Sequence, residues 1–209
     1  DPGYVLFKKV EESIINYRNT ECSEPSVIWL QNHGIFVAAD TIEEIKAVYT
    51  DIIEKLEKAV VNQLPNEPRP TCACTEQTVP AIRMILSENG LKTMKVRKNA
   101  LVKHFYDNEA NYASVMRPFT PDAIVYCKSN YIHIDKEQPE DIIADAQVKI
   151  REFTSKFGYQ PKVILIKGIG IVAAGDNAAQ CDIILDVFED AMKIAWLANS
   201  FGGPHPMSQ

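Results

Sequence analysis

Nothing in this chain amounts to a basic face. Its 22 Lys and Arg stand against 28 Asp and Glu, and a formal charge of −6 leaves no stripe that would release counterions from a phosphate backbone. Nucleic acid is therefore not an expected partner. The one basic run, residues 92–98, alternates its cations with Met94 and Val96, as the solvated face of a strand does. Long apolar runs are missing as well: none approaches the roughly 18 residues of a membrane-spanning helix. The basic, apolar and small-residue succession of a signal peptide is also absent, so no membrane is expected and a cytoplasmic location is. Cysteine is sparse and odd in number. Five residues at irregular spacing cannot all pair within the chain, which points to a reducing compartment. Cys72-Ala73-Cys74 is the one close pair, and it lacks the second pair that would complete a zinc tetrahedron. Histidine occurs four times, at His33, His104, His133 and His205, with no two at metal-ligand spacing.

What is present is an ordinary globular composition, 46% hydrophobic and 24% charged, enough for one large or two small domains. The chain begins Asp1-Pro2-Gly3 without a Met and passes directly into an amphipathic helix carrying Leu6, Val10, Ile14 and Tyr17, in the manner of a chain entered in mid-domain. Residues 27–30 and 35–39 are two short apolar runs rich in β-branched and aromatic side chains. Between them Gln31-Asn32-His33-Gly34 is turn chemistry, so the unit is a tight strand-turn-strand that presents His33 from a rigid edge. Thr41 and Glu44 then fit a capping box ahead of a helix over residues 42–63. That places Glu43 and Glu44 in a first helical turn, where capping and dipole complementation are their expected work.

Four prolines between residues 65 and 80 mark a linker. Beyond it the pattern gives a helix over 80–88, a strand over 93–97 and a short helix over 100–106. Residues 123–127 and 131–134 alternate across Lys128-Ser129-Asn130 as a hairpin would, and a helix over 139–157 follows. The opening element then returns. Residues 161–176 lie over 25–40 at a constant offset of 136 positions, with Pro25, Val27, Ile28, Gly34, Ile35, Ala38 and Asp40 each meeting an identical residue. Both copies follow an amphipathic helix and precede a capped one, so the chain holds an internal duplication. The second copy has Ile169 where the first has His33, and isoleucine binds no metal. Residues 168–173 also satisfy G-x-G-x-x-A, but a dinucleotide turn needs a helix opening at its glycines, and here the apolar run continues as strand.

The segment from Leu30 through Gln31-Asn32-His33-Gly34 to Thr41 and Glu44 resembles the Asn-His-Gly segment of the class II, zinc-dependent sugar-phosphate aldolase and adducin family. Residues 117–128, Arg-Pro-Phe-Thr-Pro-Asp-Ala-Ile-Val-Tyr-Cys-Lys, are similar to the Thr-Pro-Asp-His segment of bacterial proteins named sugar aldolase or alcohol dehydrogenase, which carry one such domain and a degenerate copy; here Ala123 replaces that His. The resemblance implies an α/β layered fold with a central, mostly antiparallel sheet covered by helices. Residues 1–64 would be the back part of the aldolase-like domain, 65–80 the linker, 81–203 the degenerate second domain and 204–209 a tail. It implies that His33 is the third histidine on a catalytic zinc whose first two ligands, an H-x-H pair, lie upstream of Asp1. The activity so implied is that of a lyase: retro-aldol cleavage of a small sugar phosphate of the rhamnulose- or fuculose-1-phosphate kind, in carbohydrate metabolism, by a homo-oligomer. There Zn²⁺ acts as Lewis acid on the ketose. The family's acid/base carboxylate has no matching position, so no catalytic base is named, and these residues alone are expected to bind zinc weakly or not at all and to be inactive. The alternative is a non-catalytic adducin-like interaction and oligomerisation module.

Overall fold

Val163 and Leu165 turn to one side of their strand, Ile164 and Ile166 to the other, and all four are wholly buried. A strand buried on both faces must be covered by helices on both. That is what the computed structural model, which describes residues 3–88 and 90–207, shows for the second of its two units. The units are residues 1–59 and 60–209, and the fold is mixed α/β.

In the second unit, α3 (Cys74–Leu86), β3 (Thr93–Arg97), α4 (Ala100–Tyr106), α5 (Glu109–Ser114), a π-helix (Ala123–Cys127), β4 (Ile132–Ile134), α6 (Pro139–Phe157), β5 (Val163–Ile166), β6 (Gly170–Gly175) and α7 (Ala178–Ala198) follow in order. The strands form one sheet, β3-β6-β5-β4, antiparallel except where β4 runs parallel to β5. One face packs Ile164, Ile166 and Val172 on Ile82 and Leu86 of α3 and Ile142, Ile150 and Phe153 of α6. The other packs Leu165, Ile171 and Ala173 on α4 and on Ile184, Phe188 and Met192 of α7. Each such aliphatic side chain contributes about 1.5–3 kcal/mol on leaving water, which is why the sheet sits at the centre.

The structure departs from the sequence pattern in three places. The hairpin between residues 123–127 and 131–134 does not form. Residues 123–127 wind as a π-helix that buries only Ala123 and Cys127, and Ile124, Val125 and Tyr126 face outward. Spacing of four, not two, is what that run obeys. The helix expected to start at Pro80 starts at Cys74 and carries Pro80 inside it. The basic run is not simply solvated: Lys95 pairs with Asp182 at 2.6 Å, and Arg97 pairs with Asp186 and Glu189 at 2.7 Å each, all on α7. These pairs also blunt an edge strand that would otherwise offer a free ladder. The proline-rich stretch is tied down: Leu64 packs on the core, the Ala100 N–H donates to the Glu67 carbonyl at 3.0 Å, and Pro68 bridges to Asn99.

The first unit is α1 (Tyr4–Glu21), the hairpin β1 (Val27–Leu30) and β2 (Gly34–Val37), and α2 (Ile42–Ala59). The duplication is visible atom by atom. Val27 faces Val37 and Leu30 faces Gly34, as Val163 faces Ala173 and Ile166 faces Gly170. The His33 N–H donates to the Leu30 carbonyl at 3.0 Å, and the Ile169 N–H to the Ile166 carbonyl at 3.1 Å. Cys22 and Gly158 close α1 and α6 in the same left-handed conformation, at φ 54° and 74°. The capping box repeats as well. The Glu44 N–H donates to Thr41 Oγ1 at 3.2 Å, and the Gln180 N–H to Asn177 Oδ1 at 2.9 Å. Copies so alike in register are one unit used twice.

Candidate functional site

His33 stands at the tip of the first hairpin, exposed, between Asn32 at φ 61° and Gly34 at φ 125°. Asparagine tolerates the left-handed region and glycine enters it freely, so this pair lets two strands reverse over a very short turn. The imidazole Nδ1 lies 3.2 Å from the Gln31 carbonyl. A carbonyl oxygen only accepts, so this contact is a hydrogen bond in the tautomer that carries the proton on Nδ1, and in that tautomer Nε2 keeps a lone pair for a ligand. Fixing the second nitrogen in this way is how proteins prepare a histidine to ligate a metal. Glu43 and Glu44 do not join it: the Thr41 N–H donates to Glu44 Oε2 at 3.1 Å, which makes Glu44 half of the capping box. At the matching tip of the second hairpin Ile169 is fully buried.

The other histidines sit in different surroundings. His104 meets the Trp196 ring edge-on at 4.7 Å, and burial lowers its pKa. His133 stacks on Tyr112 at 4.3 Å, and its pKa is lowered, chiefly by burial. Among the described residues its Nε2 is buried without a hydrogen-bond partner of good geometry, beside an open cavity of about 440 Å³ walled by Tyr112, Tyr131, Lys149, Phe153 and Phe157. Burial also raises the phenol pKa of Tyr112 and Tyr131, so neither gives up a proton readily. Cys72 and Cys74 are joined to each other, with Cα atoms 5.3 Å apart, where the cysteine count pointed to reduced thiols. Cys127 and Cys181 are buried thiols, and burial pushes Cys127 up to about 12. Among the described residues no group of three or more His, Cys, Asp or Glu side chains is placed to hold a metal. One imidazole is not a catalytic zinc site, which takes three protein ligands, so the residues present do not by themselves fit that ion.

A second cleft, of about 360 Å³, opens beside the second hairpin and is walled by Lys92, Lys128 and Lys162 with Tyr159, Gln160 and Asp176. Sequence reasoning gave no hint of it, because the three lysines come together only through the sheet and the turn after α6. Gly168 lies in the turn and Gly170 is the first residue of β6, with α7 beginning only at Ala178. The G-x-G-x-x-A match therefore has no helix N-terminus at its glycines to receive a pyrophosphate.

Comparison with known proteins adds one distant likeness. The chain is 23% identical over 235 residues to the uncharacterized oxidoreductase YuxG of Bacillus subtilis (strain 168), covering 96% of this chain and 33% of that protein. It thus spans about a third of the length of the relative it matches. No family model matches. Among the described residues no helix is long and apolar enough to cross a membrane.

Proposed function

We propose that residues 1–59 supply one imidazole ligand, His33, to a class II aldolase-type metal centre in a larger protein that cleaves a sugar phosphate by a retro-aldol reaction. The observation that carries this reading is the contact from His33 Nδ1 to the Gln31 carbonyl at 3.2 Å, which favours the tautomer whose Nε2, on an exposed, turn-held imidazole, offers a lone pair to a metal. Packing supports the need for further elements. Trp29, Phe36, Tyr17 and Leu56 are 60%, 62%, 43% and 43% exposed, although their repeat counterparts Leu165, Val172, Phe153 and Met192 are all buried. Apolar positions left open in one copy and closed in the other fit a domain whose cover, and whose other metal ligands, come from additional chain. His33 presents the donor, Asn32 and Gly34 hold the turn, and the capped start of α2 fixes the strand behind it.

The test is made on the full-length protein. Zinc content by mass spectrometry and release of a carbonyl product from ketose phosphates are measured for the parent and for His33→Ala. One zinc per subunit, lost together with cleavage in the variant, is the expected result. If metal and activity survive the substitution, the imidazole is not a ligand. The second reading, an adducin-like interaction module, is favoured by the same exposed apolar positions; it predicts no cleavage in the parent and unchanged assembly in His33→Ala. An oxidoreductase would show cofactor-linked turnover in place of cleavage.

A further inference from the structure

The cleft beside the second hairpin collects features that the aldolase reading does not use. Three lysines, Lys92, Lys128 and Lys162, line it with one acidic residue, Asp176. That carboxylate is already committed to Lys92 at 2.7 Å. A local surplus of two positive charges is out of keeping with a chain of net charge −6, and a surplus held around a concavity raises the local concentration of anions. All three lysines are half-buried, and Lys128 Nζ lies 5.9 Å from the centre of the Tyr159 ring. The ring thus holds this ammonium against the cleft wall without neutralising it.

The backbone points to the same residue. Lys128 has φ 69° and ψ −178°, a region in which glycine rests and a side-chain-bearing residue is strained. It directly follows the π-helix Ala123–Cys127, a rare winding that is frequent at functional sites. The π-helix is anchored from below, where Cys127 is fully buried and its thiol donates to the Ile184 carbonyl at 3.5 Å. For folding alone, glycine would serve better at position 128. A lysine at this position places an ammonium at the cleft at a cost in backbone strain.

We propose that this cleft is a binding site for a small phosphorylated molecule, with Lys128 and Lys162 taking the phosphate and the polar groups of Tyr159, Gln160 and Gln180 facing the rest. The volume of about 360 Å³ accommodates a phosphate together with a small organic body. Every residue lies in the second unit, so the proposal stands or falls separately from His33.

The chain is titrated with inorganic phosphate against chloride at constant ionic strength, and backbone amide shifts are followed by NMR. Saturable shifts confined to the cleft, at residues 92, 127–129, 158–162 and 174–180, are expected, and Lys128→Gln and Lys162→Gln should each weaken binding by about tenfold or more, whereas Lys156→Gln, outside the cleft, leaves it unchanged. Lys128→Gly separates function from folding: it should raise the unfolding midpoint by about 2–6 °C, through relief of the strain, while weakening phosphate binding. Unsaturable shifts, or saturation indifferent to both Gln variants, would mean an adventitious ion only and would overturn the proposal. A lowered midpoint for Lys128→Gly would overturn it as well, because the lysine would then serve the fold.

Discussion

Gly34 and Gly170 occupy the same position in the two hairpins, at φ 125° and 122°, and alanine at either forces an L side chain into a conformation it avoids. Their surroundings differ. A Cβ at Gly170 would lie 2.3 Å from the Arg97 carbonyl oxygen, which is backbone of β3, while at Gly34 it would meet no atom of the described residues within 4 Å. Gly34→Ala therefore carries the dihedral penalty alone, about 1–3 kcal/mol. Gly170→Ala carries that penalty and must also push β3 away from β6, where Arg97 pairs with Ile171 and reaches the carboxylates of α7. Loss of this end of the ladder brings the total to about 3–5 kcal/mol. The difference between the variants, about 2 kcal/mol, is roughly a thirtyfold change in opening equilibrium. Hydrogen exchange measures it locally: amides of β5 and β6 in one variant are compared with amides of β1 and β2 in the other, each against the parent. The two tryptophans offer a check, since Trp29 lies in the first unit and Trp196 in the second, so a Trp29→Phe background reports unfolding around Trp196 alone. Equal losses at the two glycines would refute the close approach of β3.

The tips of the same hairpins predict an asymmetry of opposite origin. Ile169→His buries an imidazole among Ile166, Val172 and their neighbours and should cost about 2–4 kcal/mol by denaturant titration, whereas His33→Ile, at an exposed tip, should cost under about 1 kcal/mol. Acidification should weaken the second unit. The pKa values of His104 and His133 are lowered from 6.5 mainly by burial, so below about 6.5 the unfolded chain binds protons that the folded one refuses, and stability falls as pH drops from there toward the lowered values. Urea midpoints between about pH 7.5 and 5 check this, and the double variant His104→Gln, His133→Gln should flatten the slope.

What the sequence disclosed was what is local or repeated. Capping by Thr41 and Glu44, the turn at Asn32 and Gly34, and the period of α6 rest on neighbours within four residues, so the letters carry them. Duplication supplied the second hairpin's register, because a shared backbone leaves a shared pattern. What stayed hidden depends on partners far along the chain. The run at residues 123–127 has both an alternating and an i, i+4 apolar reading, and α7, through the Ile184 carbonyl on Cys127, selects the second. Lys95 and Arg97 look like solvent-facing residues until α7 sets Asp182, Asp186 and Glu189 opposite them. The same holds for the two tips. Identical hydrogen bonds place His33 and Ile169, yet one side chain is exposed and the other fully buried, because β3 and β4 extend the second hairpin's sheet and α3 and α6 cover the face that takes in Ile169. A turn thus specifies where a side chain starts, and the elements packed around it specify whether it meets a ligand or a core. His33 has chemistry open to it because its tip is uncovered, and any further element that packs on that hairpin must leave its Nε2 accessible if the imidazole is to hold a metal.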